Sequence, residues 1–203
     1  MSATPPKPRV YLASRSSRRR ELLKQLGVAF EVLMLRDHPG RNVDVDESQQ
    51  PEERPDDYVR RICRTKAEAG WQRILQRKLR QFPVLVADTV VCVEDVILGK
   101  PPDPAHAVKM LTLLSGREHR VLTAVGLKLG DRREMLVSES RVRFAVLTQA
   151  EIEAYVATGE STDKAGAYGI QGRAGAFVTE LHGSYSGVVG LPLYETAQLI
   201  RNF

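Results

Sequence analysis

The stretch VYLASRSSRRRELLKQLG, residues 10–27, decides the fold class because its hydrophobic period changes within a few residues. Val10, Tyr11, Leu12 and Ala13 form a short apolar run of the kind buried as a strand, and Leu22, Leu23 and Leu26 then recur at helical spacing up to Gly27. The residues between strand and helix carry the functional question. Arg18, Arg19 and Arg20 fall in the first helical turn, just after two serines suited to capping. The helix macrodipole is positive there and the first N–H groups lack partners, so each cation costs about 0.3–1 kcal/mol unless something negative compensates. A phosphate would do so. A solvated basic face has the same composition, and the rest of the chain must separate the two.

Outward from that unit, strands and helices are interspersed. FEVLML (residues 30–35) reads as a strand, and a polar stretch from Arg36 to Pro55 is too long for a simple connection. Pro55 opens a long helix. PVLVA (83–87) reads as a buried strand, and TVVCVEDVIL (89–98) as a tight hairpin around Glu94-Asp95. A helix over 103–114 stops at Gly116, two long strands turn at Gly130-Asp131, and Thr148 caps a helix that Gly159 ends. Five glycines crowd residues 159–175, and Pro192 starts a terminal helix. Hairpin-like pairs break strict βαβ alternation, which predicts an α/β domain with a mixed twisted sheet and flanking helices. The Pro-rich start, residues 1–9, reads as a flexible tail, and 10–203 as a single domain.

Composition excludes several classes. With 42% hydrophobic and 27% charged residues among 203, the chain is globular, not mainly disordered. No apolar stretch approaches a membrane span and the start lacks a signal peptide's apolar core, so no membrane role and a cytoplasmic location are expected. Cys63 and Cys92, the two cysteines, are too few for a disulfide framework and read as reduced and buried. The net charge of +5 suits phosphate-bearing partners, but aromatics at 6% do not interleave the arginines as an RNA-stacking surface requires. No nucleic-acid partner is expected.

Asp88-Thr89 follows the apolar run VLVA, where a strand end holds a carboxylate rigidly beside a crevice; a hairpin-capping Asp would look the same. Glu47, with Asp44 and Asp46, forms an acidic cluster that suits a hard divalent cation or simply a solvated loop. Lys66 and Lys100 are each unremarkable alone. In GESTDKAGAYGIQGRAGAF (159–177) the glycines allow the backbone to turn N–H groups toward an anion, Lys164 adds charge, and Gln171 offers a donor and acceptors for a base edge. The block is neither a Walker A loop nor GxGxxG. His38, His106, His119 and His182 show no metal-ligand spacing, and GSYSG (183–187) misses a nucleophile elbow, with Tyr185 in the serine's place.

Taken in order, LASRSSRRRELL, ADTVV, GKP, LSGREHRVLTAV, YVATGESTDKAGAYGIQG and VVGLPL closely resemble the Maf family of nucleoside-triphosphate pyrophosphatases, from about Val10 to the end of the chain. The resemblance implies two lobes around a central cleft, as in inosine triphosphate pyrophosphatases. It implies hydrolysis of a nucleoside triphosphate to monophosphate and pyrophosphate, in the service of nucleotide-pool sanitising, with Mg²⁺ or Mn²⁺ as cofactor and a homodimer as the assembly. Asp88 matches the catalytic carboxylate that accepts a proton from water. Arg18, Thr89 and Gln171 match the substrate-specificity set of the dTTP/UTP branch; the branch preferring 7-methyl-GTP typically has Trp, Gln and Glu there. Ser14, Lys66 and Lys100 match substrate-binding positions, with Arg18 and the helix N-terminus holding phosphate and the two lysines offsetting the pyrophosphate charge. Glu47 and Asp88 match the metal site. Ser17 replaces the family's usual Pro, and the 35–47 loop is longer than usual. Proteins of this resemblance are also linked to arrest of septum formation, so a regulatory binding role in cell division stands as the alternative.

Overall fold

A computed structural model describes residues 8–36 and 43–203. Strand β1 (Arg9–Leu12) leads through a four-residue turn into helix α1 (Ser17–Gln25), and β2 (Ala29–Val32) returns parallel to β1. Arg9, expected in the tail, already pairs with Ala29, and the Pro8 carbonyl accepts from the Ala29 N–H; residues 1–7 of the expected tail lie outside the described residues, as does His38. Helix α2 (Pro55–Gln76) precedes β3 (Val84–Val93), which turns tightly into β4 (Val96–Leu98). Helix α3 (Pro104–Leu114), the hairpin of β5 (Glu118–Leu129) and β6 (Arg132–Phe144), and α4 (Gln149–Ala157) follow as the sequence predicts. Two short 3₁₀ turns (Ala165–Ala167, Arg173–Phe177), β7 (Val178–His182), α5 (Tyr185–Val189) and α6 (Leu193–Asn202) complete the chain.

The described strands form one mixed sheet of seven, in the order β2-β1-β3-β5-β6-β7, with β4 attached to β3. Strand parity assigns each face its cover. Tyr11, Ala13, Val84 and Val86 pack with Val59, Cys63 and Ala67 of α2, while Val10, Leu12, Leu85 and Ala87 pack with Leu22 and Leu23 of α1 and Leu199 of α6. A third cluster, around Leu111, Leu114, Phe144, Tyr155 and Tyr168, gathers α3, α4 and the glycine-rich segment at the other end of the sheet. The first two clusters at one end of the sheet and the third at the other are the two sides expected to flank a cleft. No helix among the described residues is long and apolar enough to cross a membrane.

Strand β3 creates the opening. It pairs with parallel β1 only at Val84 and Leu85, and with β4 only from Val91 onward, whereas β5 covers its other edge from Val84 to Cys92. Residues 86–90 therefore form a notch on one edge of an otherwise continuous sheet, where strands part as at the crevices of open α/β sheets. Asp88 and Thr89 occupy that notch. They were expected just beyond a strand; they lie in its middle, because nothing in the ladder to β5 interrupts at Asp88.

Candidate active site

The notch opens into a cleft of about 870 Å³. Ser14, Arg18, Glu47 and Lys66 line it, and so do Asp88, Thr89, Lys100 and Gln171. All eight residues singled out by the sequence therefore share one cavity, although they come from six segments of the chain.

Asp88 shares the sheet face of Val86 and Val90, which is the α2 face, and Lys66 of α2 meets it there. The Lys66 ammonium donates to Asp88 Oδ1 at 2.7 Å and lies 2.7 Å from Glu47 Oε1. Only 14% of the lysine side chain is exposed. Burial opposes its charge, but Asp88 and Glu47 outweigh burial and hold the ammonium above the ordinary lysine range. Burial likewise would raise Glu47, and Lys66 overrides it, keeping that carboxyl below its ordinary value. Lys66 is thus committed to orienting two carboxylates. Asp88 Oδ2 has no hydrogen-bond partner among the described residues, so this oxygen is open to a ligand.

The acidic cluster of the sequence comes apart. Asp44 receives Arg73 Nε at 2.8 Å and Nη2 at 2.6 Å, with the Arg36 N–H at 2.9 Å, and these bonds lower its pKa to about 2. Asp46 accepts from the Ser48 N–H at 2.9 Å on the surface. Glu47 alone of the three reaches the cleft, and it is held there because Tyr58 donates to its carbonyl at 2.9 Å and Arg61 to that of Ser48 at 2.9 Å. Among the described residues no three His, Cys, Asp or Glu side chains are grouped to hold a metal.

On the other sheet face Thr89 meets α1, and here the structure adds a residue that the sequence reading passed over. Arg19 donates from Nε to the Gly190 carbonyl (2.7 Å), from Nη1 to the Ala87 carbonyl (2.7 Å) and from Nη2 to Thr89 Oγ1 (3.1 Å). Ser14 Oγ approaches Nη1 at 3.5 Å and accepts from the Ser16 N–H at 3.2 Å. Burial pulls the Arg19 pKa down, with Asp88 the main opposing influence, and a guanidinium stays charged regardless. Arg19 sits three residues before Leu22 and four before Leu23, the centre of the inward stripe of α1; that spacing was the signal available in the sequence. Ser16 caps α1, accepting from the Arg19 N–H at 3.3 Å. Arg18 lines the cleft without a hydrogen bond to protein among the described residues, and Lys100 stands exposed at its rim.

The glycine-rich wall works differently from expectation. Its glycine N–H groups are committed to neutral protein acceptors: Gly166 donates to the Gly99 carbonyl, Gly169 to the Tyr155 hydroxyl, Gly172 to the Gly169 carbonyl and Gly175 to the Gly172 carbonyl. Four of the five glycines serve close packing, whereas Gly159 has nothing within 4 Å of where a Cβ would stand. A Cβ on Gly166, whose φ is +69°, would stand 2.8 Å from Val91 Cγ1, and one on Gly172 would stand 2.1 Å from Glu160 Oε2. Tyr168 pins the segment to the sheet through a 2.8 Å bond to His119 Nε2, and burial, pulling that histidine to about 4, keeps it neutral. Lys164 is paired with Asp163. Gln171, exposed at the cleft edge, makes no hydrogen bond among the described residues. GSYSG is a structural turn in which Ser184 caps α5 by accepting from the Gly187 N–H at 3.0 Å.

Residues 9–203 match the family model described as Maf-like protein. A dTTP/UTP pyrophosphatase of Nitrosomonas europaea is 55% identical over 95% of this chain and 93% of its own length. Proteins of the same description from Aromatoleum aromaticum (55% identical over 96% of this chain and 95% of theirs) and Ralstonia nicotianae (53%, over 96% and 94%) are similar in extent. The solved structure of the Staphylococcus aureus Ham1 protein superposes on 68% of this chain and 72% of that one with a TM-score of 0.45 at 16% identity.

Proposed function

The chain belongs to the Maf family, and from that premise we propose that its cleft hydrolyses dTTP and UTP to the nucleoside monophosphate and pyrophosphate. One observation carries the reading: a half-buried lysine fixes two carboxylates on one side of the notch while a half-buried arginine, with one donor to spare, is fixed on the other. Cleaving a phosphoanhydride needs a base for water and fixed positive charge for the phosphates, already oriented before substrate arrives.

In this reading Asp88 takes the proton of the attacking water on Oδ2, because Oδ1 is engaged by Lys66. The water oxygen bonds to phosphorus as the α–β anhydride bond breaks, and the bridging oxygen leaves with its electron pair. Arg19 uses four of its five N–H groups on Gly190, Ala87, Thr89 and, at 3.5 Å, Ser14, which leaves one donor on Nη2 for a phosphate oxygen. Arg18, Lys100 and the N-terminal turn of α1 beside Ser14 supply further positive potential. Gln171, whose amide is free, reads the base: an amide pairs with both the N3–H and a carbonyl of uracil or thymine.

Glu47 and Asp88 fit a Mg²⁺ or Mn²⁺ ion, since their oxygens lie within 2.7 Å of one ammonium and Mg²⁺ takes one or two carboxylates with the remaining positions left to water and phosphate. When bound, such an ion supplies charge neutralisation and polarisation of the phosphates. The test is a panel of nucleoside triphosphates with Mg²⁺ or Mn²⁺, assayed separately for pyrophosphate and orthophosphate. Pyrophosphate from dTTP and UTP, abolished by EDTA, is the expected result; orthophosphate alone would refute the reading.

A further inference from the structure

We propose that Glu160 is a positioning residue for base selection: its carboxylate fixes the turn that carries Gln171. Gln171 makes no hydrogen bond among the described residues, so its backbone alone decides where the amide can reach. That backbone is a tight turn. The Gly172 N–H donates to the Gly169 carbonyl at 3.0 Å, with Ile170 and Gln171 between them. Ile170 packs against the apolar cores, which leaves Gln171 exposed at the cleft edge.

Two side chains pin the ends of this turn, one from α4 and one three residues beyond it. At its start the Tyr155 hydroxyl accepts from the Gly169 N–H at 3.3 Å. Just past its end Glu160 Oε2 accepts from the Arg173 N–H at 3.0 Å. Glu160 is itself tied to the helix: its N–H donates to Thr158 Oγ1 at 3.2 Å, and that hydroxyl donates to the Tyr155 carbonyl at 2.7 Å. Gly172 makes the second pin possible. A Cβ there would stand 2.1 Å from Glu160 Oε2 and 3.0 Å from the carboxylate carbon, so a side chain at 172 would push the carboxylate away. The Gly172 φ of −98° is not left-handed, so clearance, not conformation, calls for glycine. The ion pair with Arg173 contributes little, since its Nε lies 4.0 Å from Oε1 on a side chain that is 74% exposed. What Glu160 supplies is a charged acceptor for one backbone N–H, and such bonds are the strong ones.

This inference rests on the reading that Gln171 selects the base, and the experiment keeps the two apart. Glu160→Ala removes the acceptor, whereas Glu160→Gln removes the charge and keeps an amide oxygen for the Arg173 N–H. Glu160→Ala should lower the ratio of kcat/KM for UTP over GTP about fivefold and speed hydrogen exchange of the Arg173 amide about tenfold. Glu160→Gln should keep both within about twofold of wild type. In a Gln171→Ala background Glu160→Ala should move the ratio less than about twofold, since no amide remains to be placed. An equal shift in both backgrounds, or a loss in Glu160→Gln as large as in Glu160→Ala, would make Glu160 a group that meets the substrate itself and overturn the proposal. Faster exchange with an unchanged ratio would make the bond a support of the fold alone and overturn it too. Thermal melting verifies that each variant is folded, and Glu160→Ser carries the same cycle if Glu160→Ala is not. A ratio unmoved by Gln171→Ala refutes base selection by Gln171 and the proposal with it; a ratio moved there but not by Glu160→Ala overturns the proposal alone.

Discussion

The two walls of the cleft are built on opposite plans. On the β3 wall most of the charged groups are wired into protein before any ligand arrives: Lys66 bridges Asp88 and Glu47, and Arg19 is held by four oxygens. The glycine-rich wall holds its shape by packing against Val91, Tyr155 and His119, and it presents Gln171 with no protein partner. Groups that must stabilise developing charge gain from being fixed in advance, because no reorganisation is then needed during reaction. A group that selects a base must instead keep its donor and acceptor free. The proposed function thus puts chemistry on the sheet and choice on the loop.

The largest blow to this division should come from Asp88→Asn. It keeps the shape of the β3 wall but removes the proton acceptor, and kcat for UTP should fall by about 10²- to 10⁴-fold. Near-wild-type turnover in steady-state assays would remove Asp88 from the chemistry. Next, Gly166→Ala should damage the other wall through packing. The new Cβ meets Val91 at 2.8 Å on a backbone with φ of +69°, so about 2 kcal/mol of stability should be lost. Calorimetry should record a fall in Tm of about 4–8 °C. Gly99→Ala, with nothing within 4 Å of its Cβ, should leave the melting temperature nearly unchanged. A neutral Gly166→Ala would mean that the wall is not close-packed.

A smaller effect tests how the Glu47 loop is clipped to α2. Asp44 has its pKa lowered from 3.8 to about 2, chiefly by Arg73, and its side chain is only 9% exposed. A depressed carboxylate stabilises the fold fully above its unfolded value and loses that contribution as pH falls through the folded one. With allowance for solvent screening, the clip is worth about 1–2 kcal/mol. Wild type should therefore exceed Arg73→Gln in urea stability at neutral pH, and the gap should shrink between about pH 4 and pH 2. A pH-independent gap would mean that Arg73 acts by packing.

The sequence made the β3 wall easier to read than the glycine wall. The β1–α1 unit and the β5–β6 hairpin follow from apolar period and turn chemistry, and Thr148 does cap α4. Asp88 was placed correctly beside a crevice but wrongly at a strand end. The notch depends on where β1 leaves β3 and β4 joins it, a non-local fact that the run VLVADTVV does not contain. Arg19 was hidden among three adjacent arginines, separable only by counting back from Leu22 and Leu23. Strand β7 escaped because it is an edge strand with a mostly exposed pattern, and α5 because five residues give no helical period. The glycines of 159–175 were read as anion-binding because φ and close approach look alike in sequence; only the neighbours at Val91 and Glu160 distinguish them.

Selectivity measured beside rate tests the division of labour most directly. Gln171→Glu keeps the size of the side chain, loses its donor and adds charge; a carboxylate accepts from N3–H but repels a pyrimidine carbonyl, whereas the N1–H and N2–H₂ edge of guanine offers it two donors. Each mismatch is worth about 1–3 kcal/mol, so the ratio of kcat/KM for UTP over GTP should fall by about tenfold or more. Asp88→Asn should lower both substrates by a common factor and leave that ratio intact. A ratio unchanged in Gln171→Glu, or shifted as strongly in Asp88→Asn, would contradict the separation of chemistry from choice.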